Sequence, residues 1–314
     1  MHFNTTRRRF LLTTLGGVLG GLASPRRATA QSPGVVSLSE RLSLVTAGGT
    51  NVLALSAPDG LVIVDSGTPE LIVQLMGSLK QLPPLRQGSG GQAVTTVFNT
   101  HWHLENTGAN EVLGLSGATI IAHENTRLWM ATPTWMPAED RYRAPRSKKA
   151  QPNKTFRIDG SMTAGSERID YRYLIEAHTS GDIYVFFRDS NVLAVGDVAA
   201  PTRDPELDYF TGAWIGGRVD AMDTLLAVAN DTTRIVPGFG PVMTRAQLKT
   251  ERDMMKTIYD RTVDLVREGD DAEDMVKAGV LNGLPRTWKE PRKFLYDVNK
   301  GLWAHHNKLS PNVV

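Results

Sequence analysis

Asn99-Thr100-His101-Trp102-His103-Leu104-Glu105-Asn106-Thr107-Gly108 is the stretch on which the reading of this chain turns. It ends a β-branched run that starts at Val94 and leads directly into a helical pattern. Two histidines two positions apart at a strand end can point to the same side. On a loop opening onto a helix N-terminus they can converge on a cation that a third residue completes. Spacing alone leaves two readings open: a pair of metal ligands, or two ordinary hydrogen-bonded histidines.

Composition narrows the chemistry. The 314 residues contain no cysteine, which excludes a disulfide framework, a thiolate nucleophile and a cysteine-held cluster, so a metal here has to be held by His, Asp or Glu. A chain that is 41% hydrophobic and 22% charged is built like a soluble globular protein, not like a disordered, collagenous or coiled-coil one.

The N-terminus reads as an address. Arg7, Arg8, Arg9 and Phe10 lead an apolar, glycine-rich stretch to Ala23, and small residues end at Ala28-Thr29-Ala30. This resembles a twin-arginine export signal. The stretch is short for a membrane span, so cleavage is expected after Ala30, the alternative being an uncleaved anchor. The expectations that follow are a periplasmic or otherwise exported protein, the twin-arginine machinery as partner, and no stable membrane span after processing. Without the five leader arginines, 30 basic residues face 33 acidic ones, a formal charge near −3. The basic character belongs to the leader, and a nucleic-acid partner loses its electrostatic motive.

Along residues 31–314 the pattern is that of one α/β domain with mixed sheets. Strands are expected at Leu42 to Thr46, Asn51 to Ser56, Leu61 to Asp65, Val94 to Asn99, Ala118 to Ala122, Ile169 to Ile175, Ile183 to Phe187, Asn191 to Val195 and Arg234 to Val236. Helices are expected from Pro69, over Glu124 to Met130 and over Val219 to Ala229, and a helical segment begins at about Thr244. The acidic cluster Asp270, Asp271, Glu273 and Asp274 reads as helix capping.

Further turns at strand ends choose between the two readings of the histidines. Val64-Asp65-Ser66-Gly67, Ala177-His178-Thr179-Ser180-Gly181-Asp182, Val195-Gly196-Asp197 and Pro237-Gly238-Phe239-Gly240-Pro241 each follow a strand, in that order around the histidine motif. Together these segments resemble the metallo-β-lactamase superfamily. The resemblance implies a four-layer αββα sandwich with a metal site at one edge of the two sheets, on loops that follow strands. It also implies His101, His103 and His178 as ligands of a first metal.

The chain departs from the family pattern, His-x-His-x-Asp-His with a later Gly-His-Gly, at three positions. Glu105 stands in place of Asp, Asn106 in place of the next His, and Phe239 in place of the late His. A phenyl ring donates no lone pair, so one tightly held ion is expected. Three neutral imidazoles with an open position are the ligand set of a catalytic Zn2+, which lowers the pKa of its water from 15.7 to about 7. Asp197 is expected as a fourth ligand or a partner of that water, and Glu105 as an orienting group or general base. The implied activity is a metallo-hydrolase acting on the carbonyl of an ester, thioester, lactone or amide in a small-molecule substrate.

Two other functions stay open. His101, His178 and Asp197 also form a two-histidine, one-carboxylate set suited to Fe2+, similar to the persulfide dioxygenases of the same superfamily. A non-catalytic scaffold with a decayed centre is the third. Near the site, Trp129, Trp135 and Tyr142 among Arg141, Arg143, Arg146, Lys148 and Lys149 could roof a pocket for an apolar substrate with a negative group, or pack on the domain. Asp65 and Asp182 are expected to brace the site, His123 to cap a helix or lie on the surface, and His305 and His306 to face solvent.

Overall fold

A computed structural model describes residues 34–82, 92–136 and 140–308; the leader read in residues 1–30 lies outside them. The chain opens as an antiparallel meander of β1 (Val35–Ser37), β2 (Leu42–Val45), β3 (Val52–Ala57) and β4 (Gly60–Val64). After α1 (Ile72–Lys80), β5 (Val94–Phe98) joins β4 in parallel. Two short helices, α2 (Leu104–Thr107) and α3 (Asn110–Leu115), then lead to β6 (Thr119–His123), parallel to β5. The chain next runs through α4 (Glu124–Ala131) and a separate hairpin of β7 (Thr134–Met136) and β8 (Arg141–Arg143) before β9 (Lys154–Phe156) closes this sheet of seven strands.

The second sheet is again a meander, β10 (Asp159–Ala164), β11 (Glu167–Tyr173), β12 (Ile183–Phe187) and β13 (Val192–Gly196). A crossover through α5 (Ile215–Val228) brings β14 (Arg234–Pro237) parallel to β13. Then come α6 (Arg245–Glu268), α7 (Ala272–Lys277) and α8 (Pro291–Lys308).

Strand periodicity turns these elements into four layers. Leu53 and Leu55 of β3 and Val62 and Val64 of β4 point inward, where they meet Ile169, Tyr171, Val185 and Phe187 of the other sheet. The alternate residues, Val52, Ala54, Leu61 and Ile63, face outward onto Leu75 and Leu79 of α1 and Leu113 of α3. On the far side, Tyr184, Phe186, Leu193 and Ile235 pack under Met222 and Leu225 of α5, Met255 and Ile258 of α6, and Val298 and Leu302 of α8. A strand apolar at both parities must be covered on both faces, and the αββα sandwich is how this chain does it.

The expected strands and the C-terminal helices are present. Boundaries shift at two places: β11 runs Glu167–Tyr173 instead of Ile169 to Ile175, and α5 begins at Ile215, a turn before Val219. Gly216 and Gly217 hide that turn because glycine disfavours helix interiors, yet a Cβ at Gly216 would overlap the Trp214 ring. The acidic cluster is capping, with Asp271 and Asp274 forming a capping box at α7. His305 departs from expectation: it is half-buried, its ring stacked 3.6 Å from that of Trp214. Among the described residues no helix is long and apolar enough to cross a membrane.

Candidate metal centre

The chain ends of strands from both sheets meet at one edge. β4 delivers Asp65, β5 delivers His101 and His103, the β11–β12 connection delivers His178, β13 delivers Asp197, and β14 delivers Gly238 and Phe239. Ile183 N–H donates to Thr100 O at 2.9 Å and Gly238 N–H to Gly196 O at 2.8 Å, so these loops are stitched to one another.

His101, His103 and His178 converge. Their facing nitrogens lie within 4.8 Å of one another, and the rings stand nearly perpendicular in pairs, at 79°, 85° and 86° with centroids 4.7–4.8 Å apart. Each outer nitrogen has a partner that sets the tautomer. His178 Nδ1–H donates to Glu206 O at 2.9 Å, which leaves a lone pair on Nε2. His101 Nδ1 lies 3.0 Å from Thr100 Oγ1, whose own proton goes to Asp65 Oδ2 at 2.8 Å. The His101 nitrogen is therefore the donor, and Nε2 is buried without a partner. His103 Nε2 donates to the Asp208 carboxylate at 3.1 Å and turns Nδ1 inward.

This arrangement sets His103 Nδ1 and His178 Nε2, two lone-pair positions, 3.2 Å apart. Such a contact needs positive charge between the two atoms. Desolvation by burial lowers the pKa of His103, but the hydrogen bond and charge of Asp208, with Glu105 and Glu206, overcome it and raise the ring to about 9. Burial and the neighbouring rings hold His101 and His178 well below the usual histidine range. The centre thus favours one positive charge at this point, and a proton on His103 and a cation bound by all three rings are alternative ways to supply it. The donor set fits a metal ion.

The carboxylates divide the remaining roles. Asp65 accepts Thr100 N–H and Oγ1–H, both at 2.8 Å, and Asn106 Nδ2–H at 3.1 Å; burial pushes its pKa up to about 7 despite these donors. Asp182 accepts His178 N–H at 2.6 Å and Thr179 N–H at 2.8 Å, and so holds the histidine loop. Asp197 Oδ2 is 3.8 Å from His178 Nε2 and ion-paired with Arg203, while Oδ1 is buried without a partner. A Cβ at Gly238 would overlap that oxygen, so glycine there permits the close approach. Glu105 Oε1 lies 4.0 Å from His103 Nδ1, and Glu105 groups with His103 and Glu206 in a second convergent set.

Sequence reasoning passed over Asp208, Arg203 and Arg218. Asp208 Oδ2 gathers His103 Nε2–H, Trp102 Nε1–H at 3.2 Å and Thr211 Oγ1–H at 2.8 Å. Its only local signal is that of a cap, since Asp208 also accepts Thr211 N–H at the turn Tyr209–Thr211. Arg218, fully buried on α5, donates to Asp197 O at 2.7 Å and Glu206 O at 2.9 Å, and so ties together two of the site's backbone carbonyls. His123 caps α4 through Nδ1 and stacks on Tyr173 at 3.8 Å, away from the centre.

Beside the histidines opens a cavity of about 290 Å3, lined by Trp102, His103, Glu105, Trp135, Arg143 and Phe210 among others. Trp135 and Arg143 come from the β7–β8 hairpin, and the Arg143 guanidinium lies 5.4 Å from the Trp102 ring centroid. Trp129 instead packs behind Trp102 and donates Nε1–H to Ser180 Oγ at 2.9 Å.

The fold is that of known proteins. A metallo-beta-lactamase type 2 from Bacillus cereus is 24% identical over 207 residues, 66% of this chain and 73% of that protein. Among solved structures, a metallo-beta-lactamase from Pontibacter korlensis superposes with a TM-score of 0.56 at 20% identity, covering 71% of this chain and 98% of that one. A stereoselective inverting sec-alkylsulfatase from Pseudomonas sp. gives 0.61 at 15% identity, with 87% of this chain matched to 50% of the sulfatase. At these identities the superpositions establish the fold and leave the substrate open. The family model for the metallo-beta-lactamase superfamily matches residues 45–239, a span that starts in β2 and ends at Phe239, so it contains every strand end that builds the three-histidine edge: the chain belongs to the metallo-beta-lactamase superfamily.

Proposed function

We propose that the protein is an exported, mononuclear zinc hydrolase acting on the carbonyl of a small ester, thioester, lactone or amide. One observation carries the reading: three imidazoles whose outer nitrogens are all committed to hydrogen bonds, so that three inner lone pairs converge within 4.8 Å. His101 Nε2, His103 Nδ1 and His178 Nε2 would hold the ion. A zinc ion held by three histidines supplies Lewis acidity and brings the pKa of a bound water to about 7.

The rest of the chemistry belongs to the chain. Thr100, Asp208 and the Glu206 carbonyl keep the three rings in the tautomers that present lone pairs. Glu105, part-exposed beside His103, is placed to accept a proton at Oε1 and return it to a leaving group. Asp197 Oδ1, buried and unpartnered, offers an acceptor at the same edge. Trp102, Trp135 and Phe210 give the cavity an apolar wall, which favours an apolar acyl group; the charges around it are mixed, Arg143 and Lys293 beside Glu105, Glu206, Asp208 and Asp297. Periplasmic location and passage through the twin-arginine machinery belong to the same proposal and rest on the leader sequence.

Elemental analysis of the purified native protein tests it. One zinc per chain is expected, with loss of the ion and of esterase, thioesterase and lactonase activity in His101→Ala and His178→Ala. Iron in place of zinc, with oxygen consumed on a persulfide, would move the protein to the dioxygenase reading. A metal-free protein with unaltered behaviour in both variants would make it a scaffold.

A further inference from the structure

The environment of Asp197 shows why this centre should hold a single ion, and the loss of an imidazole is not the whole reason. Asp197 Oδ2 is ion-paired with Arg203 Nη2. The Arg203 guanidinium in turn lies over the Phe239 ring, its Cζ 3.6 Å from the centroid, in a cation–π contact. At the same corner Asn106 Nδ2 donates to Asp65, while Asn106 Oδ1 is buried without a partner. A positive charge is therefore already in place between the carboxylate of β13 and the ring that follows β14.

Arg203 is held there by structure behind it. The loop from Asp197 to Glu206 is pinned at both ends by buried Arg218, through Asp197 O and Glu206 O. Its middle is fixed by Ala200 N–H donating to Glu251 Oε1 at 2.8 Å and by Arg286, which donates to Ala200 O at 2.8 Å and to the Arg203 carbonyl. Glu251 is itself buried and only 3.8 Å from Arg286. A surface arginine needs no such scaffold.

We infer that Arg203 is a resident cation: its guanidinium, clamped between Asp197 and Phe239, occupies the place beside the three-histidine group that a second metal ion would need. Arginine keeps its charge at any pH the fold survives, and its planar fork suits both the carboxylate and the ring face. The pair Arg203–Phe239 is then one device. The phenyl ring is the platform for the guanidinium, and a histidine at 239 would still face a carboxylate already neutralised. This inference rests on the three histidines binding one ion, as proposed above.

The test is a metal count on five proteins loaded with excess Zn2+, passed through a desalting column and analysed by mass spectrometry of the elements: the wild type, Phe239→His, Arg203→Met, the double variant R203M/F239H and the charge-preserving R203K/F239H. Expected are one ion in the wild type, in F239H, in R203M and in R203K/F239H, and two in R203M/F239H. Two ions in F239H with Arg203 in place overturn the inference, and so does one ion in a folded R203M/F239H. If that double variant fails to fold, the counts in F239H and R203K/F239H decide: one sustains the inference and two overturns it. No ion in any of the five removes the three-histidine reading and this one with it, a result distinct from either failure above.

Discussion

Asp208 binds the outer nitrogen of His103, not the inner one, yet much of the site's geometry depends on it. Its Oδ2 fixes the His103 ring, the Trp102 indole that walls the cavity and the Thr211 hydroxyl. It is also the largest influence opposing desolvation in raising the pKa of His103. Replacing an outer partner of a ligating histidine lowers metal affinity roughly 10–100-fold. Asp208→Asn keeps the shape, removes the charge and leaves fewer lone pairs for three donors. Zinc affinity measured by competition with a chromophoric chelator is expected to fall by that factor, and the metal-free protein is expected to lose stability as well, because the protonated His103 ring loses its counter-charge. Unchanged affinity would mean that the His103 tautomer is set by something other than this carboxylate.

At the scale of elements, α8 brings a second kind of buried charge to the rim of the cavity. Asp297 is buried there and paired with Lys293 one turn earlier, at 2.9 Å. Burial pushes its carboxyl from 3.8 up to about 6; Lys293 pulls the other way, while Glu206 and Asp208 from the facing loop add to the rise. A raised acid stabilises the fold most where both states hold the proton, below pH 3.8, and that contribution is lost as pH rises through about 6. Two units correspond to roughly 3 kcal/mol. Asp297→Asn cannot ionise, so the wild type should lose about that much stability relative to the variant between pH 4 and 7, with no further change above. Urea unfolding at pH 4, 5, 6 and 7 measures the difference, and a constant offset across that range would contradict the assignment.

The same scale shows what was legible in the residues. Strands β2 to β6 and β11 to β14 could be read because they are apolar at both parities or end in turn residues; β1, of three residues, was not. The hairpin of β7 and β8, β9, and β10 could not, because three-residue strands carry no period and Asp159–Ala164 alternates among mostly polar side chains. The spacing of His101 and His103 left their role open, and the three histidines were legible as a set through the resemblance of the ordered strand-end motifs to the metallo-β-lactamase superfamily. Arg203, Arg218 and Asp208 were not, since the partners that tie them to the site lie 6 to 106 positions away and only folding brings them together.

For the whole molecule, the centre is a joint between layers. His101 and His103 hang from the sheet of seven strands and His178 and Asp197 from the sheet of five, and bonds such as Ile183 N–H to Thr100 O and Asn51 N–H to Gly238 O already join the loops of the two sheets here. A cation gripping His178 together with His101 and His103 ties the two sheets at the place where their shared apolar core gives way to polar loops. Unfolding separates those ligands, so an ion bound only by the native state stabilises it by RT ln(1 + [L]/Kd), about 2.7 kcal/mol at a hundredfold excess over Kd. For a domain of this size that raises the midpoint by roughly 5–10 °C. Calorimetric scans after chelation, and again after stepwise return of Zn2+, are expected to show a midpoint that climbs with the logarithm of free zinc. His178→Ala should show no such climb, because the remaining pair of histidines sits on one sheet and no longer spans the joint. A midpoint indifferent to zinc in the wild type would separate the three rings from any role in holding an ion.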